Sequence, residues 1–117
     1  MTDDLKLGHR ERLRSRFLET HGKGVQDYEL LEMILFSAKP RADVKPLAKI
    51  LLKNFGSLQK VLLAGPHELS AISEMGPAAV SAIKVVQELT HRILLQEIMD
   101  QPVLNNWKKV VDYCHSQ

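Results

Sequence analysis

Cysteine and aromatic residues are scarce in this chain, and it has no long apolar run. One cysteine, Cys114, stands among 117 residues, so no disulfide can form within the chain. Aromatics are 5% of the residues, and the apolar remainder is mainly Leu, Ile, Val and Ala, which suits packed helices better than sandwiches or barrels. No run approaches the roughly 20 apolar residues that cross a bilayer, and the N-terminal MTDDLKLGHRER lacks a signal-peptide core. We therefore expect a cytoplasmic protein with no membrane partner.

The rest of the composition is typical of one globular domain, with 44% hydrophobic and 26% charged residues. The net charge of +2 is too small to indicate a nucleic-acid partner. Its distribution is more informative, because residues 1–60 hold 12 Lys and Arg against 8 Asp and Glu, and residues 61–117 hold 4 against 6. Basic charge is therefore concentrated in the N-terminal half, where it could create a local field.

Helical periodicity and capping residues predict seven helices and no strand. Asp27 and Asp43 are the expected N-caps of the second and third helices, and Gly56 is the expected stop of the third. Glu29 and Glu32 are expected to face solvent rather than to form an acid–base pair. The predicted helices cover residues 8–20, 28–38, 44–55, 58–63, 66–71, 77–99 and 105–115.

Residues 69–89, LSAISEMGPAAVSAIKVVQEL, read as a short helix, a turn with glycine and a longer helix that begins with small residues. This is the pattern of a helix-hairpin-helix motif. Gly76 is expected to supply a positive φ or a close backbone approach, and the free amides after it could hold a phosphate. Glu74 replaces the first glycine of the usual motif, and the basic residue that often follows the second glycine is missing.

The segments GHRERLR, DYELLE and DVKPLAK, followed by the hairpin, resemble the N-terminal region of the RadC family over about residues 8–99. The tail PVLNNWKKVVDYC is similar to the start of that family's next domain, a JAB/MPN-type metalloprotease-like fold. The resemblance implies an excised fragment, with a flexible tail at 1–7, a helix-hairpin-helix domain at 8–99, and a linker and domain start at 100–117. It implies a compact all-α bundle of tandem helix-hairpin-helix units, like SAM domains and RuvA domain 2, and a link to DNA repair.

Basic residues supply the remaining candidate sites. Lys45, Lys49 and Lys53 are four apart and share one helical face. The arginines of the first helix form one basic set, and these lysines with Lys39 and Arg41 form a second. Each set could bind phosphates or be an ordinary solvated face. The candidate DNA-binding residues are Met75, Gly76, Pro77, Ala78, Ala79 and Lys84 at the hairpin, Lys39, Arg41, Lys45 and Lys49 around the first turn, and Arg10, Arg12 and Arg14 in the first helix.

No catalytic or metal-binding constellation is visible, because the five histidines have no zinc-site spacing and no second cysteine supports one. We expect neither an enzyme nor a cofactor. The leading interpretation is a sequence-independent DNA-binding module. The alternative is a protein-interaction or regulatory domain that docks its own missing C-terminal domain. Glu74 in the hairpin favours this alternative. The C-terminal segment around Trp107 could also be exposed and mediate a homodimer.

Overall fold

The computed structural model of the chain describes the backbone of residues 2–101 and 103–116, and the side chains of residues 8–101 and 107–115. Within these residues it is all-helical and contains no strand, which confirms the predicted all-α fold class. The tandem helix-hairpin-helix arrangement stays a prediction. None of the described helices is long and apolar enough to cross a membrane. The helices are α1 (Thr2–Glu19), α2 (Asp27–Phe36), α3 (Lys45–Phe55), α4 (Leu58–Leu63), α5 (Pro66–Ser70), α6 (Pro77–Met99) and α7 (Val103–Ser116).

The chain divides into two compact units, Met1–Lys84 and Val85–Gln117. The first unit has an apolar core to which α1 through α6 all contribute. Its six largest apolar side chains that are less than 2% exposed are Leu13, Leu31, Leu35, Leu51, Leu69 and Ile83. Helix α1 begins at Thr2, ahead of the predicted Gly8. The flexible tail at 1–7 and the domain boundary near residue 100 stay predictions.

Local capping explains most of the helix boundaries. Gly56 ends α3 with a φ of 101°, and its amide donates to the Leu52 carbonyl at 2.8 Å. Ser57 opens α4 by accepting from the Lys60 amide at 3.1 Å. Pro66 is the first residue of α5, as predicted. These signals lie within a few residues of the boundary they set, which is why the sequence alone predicts them.

Two predicted N-caps are different in the structure. The N-cap of α2 is Gln26 rather than Asp27, because the Glu29 carboxylate turns back to accept from the Gln26 amide at 2.9 Å. The N-cap of α3 is Val44. Asp43 therefore lies one position before the N-cap. Its carboxylate nonetheless accepts from the Lys45 amide at 3.1 Å.

The expectation that Glu29 and Glu32 face solvent is wrong, because α1 covers that side of α2. Glu32 is 1% exposed, and its Oε1 lies 3.0 Å from His9 Nε2. Its Oε2 is buried without a hydrogen-bond partner among the described residues. Glu29 is also buried and forms an ion pair with Arg16. The two carboxylates therefore attach α2 to α1.

Candidate nucleic-acid interface

The α2–α3 turn and the α5–α6 turn meet at an open depression of about 500 Å³. Lys39 contributes to its lining from the α2–α3 turn. The end of α5 and the α5–α6 turn contribute the other lining residues, which are Ser70, Ala71, Ile72, Ser73, Glu74, Met75 and Gly76. A cation from the first turn and the glycine of the second turn therefore line one concave surface. Lys39 belongs to the turn that precedes α3 rather than to α3 itself.

The backbone of the α5–α6 turn departs from the expected geometry at Gly76. Gly76 has no positive φ, and a Cβ built on it would meet no atom within 4 Å. The residue in the left-handed region is Glu74, with a φ of 73°. The Met75 amide closes the turn by donating to the Ile72 carbonyl at 3.1 Å. The predicted reason for glycine at position 76 is thus wrong, and the left-handed position is the one where the usual motif has its first glycine.

The first turn of α6 presents fewer exposed amides than the sequence suggests. The first bond of the helix runs from the Val80 amide to the Gly76 carbonyl at 3.0 Å, and Pro77 has no N–H to offer. The amides of Ala78 and Ala79 therefore lack helical partners. Ala78 is exposed, but Ala79 is only 2% exposed, so packing seals its amide. Gly76, Pro77 and Ala78 are the exposed residues at this end of the helix.

Three candidate residues of the hairpin region are accounted for by folding instead. Met75 is 4% exposed and belongs to the core, as Ala79 does. The Lys84 ammonium donates to the Leu62 carbonyl at 3.2 Å and to the Ala64 carbonyl at 2.8 Å. These carbonyls lie at the end of α4, so Lys84 caps that helix. Met75, Ala79 and Lys84 therefore leave the candidate set.

Arg10, a candidate from α1, also has a structural role. It is 5% exposed and stacks 4.5 Å from the Phe36 ring centroid. Its guanidinium donates to three backbone carbonyls at the end of α2 and in the turn that follows, namely those of Phe36 (3.1 Å), Lys39 (2.8 Å) and Ala42 (2.7 Å). Burial, followed by the charge of Arg14, lowers the pKa of Arg10, while Asp43 and Glu32 oppose the lowering. Arg10 is therefore unavailable to a ligand.

The other arginines of the candidate set lie at the surface. Arg12 and Arg14 are exposed on α1, and the Arg14 guanidinium carbon is 5.5 Å from the Phe36 centroid. Arg41 is exposed in the turn before α3. Exposure is all that the structure adds for these side chains, and their contact with phosphate stays a prediction.

Two lysines of α3 lie over one aromatic ring of α2. The ammonium groups of Lys45 and Lys49 are 5.8 Å and 5.0 Å from the Tyr28 ring centroid, within the range of cation–π attraction. Both lysines are exposed, whereas Tyr28 is half-buried. The ring brings two positive charges together at the surface. Tyr28 is absent from the candidate residues predicted from the sequence, because the register of α2 against α3 is not visible in residue spacing.

The chain is similar to UPF0758 proteins of two organisms. It is 40% identical over 108 residues to a UPF0758 protein of Ruegeria pomeroyi, which covers 92% of this chain and 48% of that protein. It is 45% identical over 104 residues to a UPF0758 protein of Rhodobacter capsulatus, covering 89% of this chain and 49% of that protein. The chain thus spans about half the length of these relatives. No family model matches it, and no solved structure matches it.

Proposed function

We propose that the chain is the N-terminal part of a RadC-family protein and that it is a non-catalytic module, binding the phosphate backbone of DNA without reading base sequence. UPF0758 is another name for the RadC family, so the similarity over about nine-tenths of the chain supports the first half of this proposal. The link to DNA repair and the cytoplasmic location are part of the same proposal. α5 and α6 would form the hairpin of a helix-hairpin-helix unit.

The observation that carries the DNA proposal is the joint lining of one depression by Lys39 and Gly76. An ammonium group beside the exposed start of a long helix suits a phosphate, since the helix dipole and free amides add to the lysine charge. Such contacts involve no base edge and therefore carry no sequence information. Glu74 lines the same depression and opposes an anion there.

Lys45 and Lys49 would extend the contact along the backbone of the nucleic acid. They are exposed and held over Tyr28, so less side-chain freedom is lost when they meet a phosphate. Each neutralised phosphate releases counterions and makes binding dependent on salt.

Fluorescence anisotropy with a labelled duplex, titrated at several salt concentrations, tests the proposal. We expect affinity to fall as salt rises, and Lys45→Ala with Lys49→Ala to weaken binding to all duplex sequences equally. Lys108→Ala with Lys109→Ala on α7 is the matched control, because it also removes two exposed positive charges and lies outside the candidate set. Absence of binding at low salt would contradict the proposal, as would affinity that does not change with salt.

A second candidate function is docking of the rest of the protein, which the exposure of Trp107 favours. This side chain on α7 is 69% exposed, and exposed aromatics frequently anchor protein contacts. If α7 docks an adjoining JAB/MPN-type domain, Trp107→Ala should weaken binding to that domain and leave DNA affinity unchanged. A pull-down of the remaining half of the protein by wild type and by Trp107→Ala, together with the DNA affinity of each, distinguishes the two functions.

A further inference from the structure

The C-terminal half of α6 carries an apolar stripe that no described residue covers. Val85, Leu89 and Ile93 are four residues apart and therefore lie on one face of the helix. They are 56%, 57% and 61% exposed. The buried residues of α6 are Ala79, Val80 and Ile83, and all of them precede this stripe. An apolar row of this kind on a charged helix is typical of a surface that packs against another helix.

One flank of the stripe carries a pair of opposite charges. Glu88 and Arg92 each lie one position before a stripe residue, so both are on the same side of it. Arg92 Nε donates to Glu88 Oε2 at 2.9 Å within the helix. Both side chains are more than half exposed, at 77% for Arg92 and 54% for Glu88. The flank therefore presents one acid and one base that are accessible to a partner.

We propose that this face pairs with the same face of a second copy of the chain, with the two helices antiparallel. A two-fold axis perpendicular to the helices places the Glu88–Arg92 flank of one copy beside the same flank of the other. Residues 88 and 92 are symmetric about position 90, so an axis near Thr90 places Glu88 of each copy beside Arg92 of the other. The apolar residues are symmetric about Leu89, so almost the same axis brings Val85 opposite Ile93.

The pattern of charge favours a second copy over an unrelated partner. A two-fold pair needs a surface that is complementary to itself, and an acid and a base four residues apart on one flank provide this. The helix from 85 to 99 is about 22 Å long, so two such segments bury less than the roughly 1,200–2,000 Å² of a standard interface. The dimer is therefore weak and depends on concentration.

Sedimentation velocity of the chain over about 10 μM to 1 mM tests the pairing. We expect the mass to rise from 13.3 kDa toward twice that value, and Leu89→Glu to remain at the monomer mass throughout. Helix content measured by circular dichroism should be unchanged in the variant, since Leu89 is exposed. A wild-type chain that stays monomeric over the whole range would overturn the proposal, as would a Leu89→Glu chain that still dimerises.

Charge reversal tests the antiparallel arrangement itself. Glu88→Arg alone and Arg92→Glu alone each place like charges across the axis, so each should weaken dimerisation about tenfold. The double variant Glu88→Arg with Arg92→Glu restores opposite charges and should restore the dimer. Lys60→Glu on α4 is the control, and this variant should dimerise as wild type does. A double variant no better than the single variants would overturn the antiparallel pairing.

Discussion

Arg10 binds Phe36 in two ways, stacking on its ring at 4.5 Å and donating to its carbonyl at 3.1 Å. The same guanidinium reaches the carbonyls of Lys39 and Ala42. The end of α2 and the turn after it are thus built around a side chain from α1. This turn places Lys39 at the candidate phosphate site, so Arg10 acts on that site by positioning its backbone.

Replacing Arg10 should destabilise the fold. Arg10→Ala leaves three carbonyls without their charged donor, and we expect a loss of about 2–4 kcal/mol in the free energy of unfolding. Urea unfolding followed by circular dichroism measures it. Arg12→Ala is the matched control, because Arg12 is exposed on the same helix, and its effect should stay within about 0.5 kcal/mol. Equal stability of the two variants would contradict the structural role of Arg10.

Alanine should be tolerated at Gly76 and not at Gly56. Gly76 has no positive φ, and its added Cβ would meet open space, so Gly76→Ala should be neutral or stabilise by up to about 1 kcal/mol. Gly56 has a φ of 101°, so Gly56→Ala should destabilise by about 1 kcal/mol or more. Thermal unfolding of both variants gives the comparison. A Gly76→Ala variant as damaged as Gly56→Ala would show that position 76 needs glycine after all.

Glycine at position 74 should improve both stability and DNA affinity. The left-handed backbone conformation costs a residue with a Cβ about 1–2 kcal/mol. Glu74→Gly removes the Cβ and therefore this cost. It also removes a negative charge from the lining of the depression. Glu74→Gln separates the two effects, since it removes the charge but keeps the Cβ. We expect both variants to bind DNA more tightly in anisotropy titrations, and only Glu74→Gly to unfold at a higher temperature.

Glu29 should make the free energy of unfolding depend on pH. Burial raises the pKa of Glu29, but the Gln26 amide and the Arg16 side chain outweigh burial and lower it overall. A lowered pKa in the folded state stabilises the protein at pH values above the ordinary pKa, and this contribution is lost as the pH falls. Glu29→Gln should therefore cost about 1–2 kcal/mol at pH 7, and the difference from wild type should shrink below about pH 4.3. Urea unfolding at pH 7 and at about pH 3 measures both values, and a difference that does not change with pH would refute this role.

The sequence predicted the helices better than it predicted the roles of their charged residues. Gly56, Ser57 and Pro66 act on backbone within a few positions, so their local pattern is sufficient. Arg10 acts on carbonyls 26 to 32 residues away, and Lys84 on carbonyls 20 and 22 residues away. Spacing on one helix cannot distinguish a surface cation from one that caps another helix.

The candidate site was predicted in part for the same reason. The helix pattern located the α5–α6 turn, but the left-handed residue is Glu74 rather than Gly76. Glutamate has no propensity for that region, so only the position within the hairpin pattern, where a glycine is usual, could have indicated it. The meeting of Lys39 with this turn depends on tertiary packing that the sequence pattern does not encode.

The salt dependence of DNA binding by wild type and Lys39→Ala tests the central claim most directly. If Lys39 neutralises a phosphate at the depression, the slope of log affinity against log salt should be about one unit shallower in the variant. Affinity should fall by a similar factor for duplexes of unrelated sequence. An unchanged slope, with the variant folded as wild type, would contradict the account.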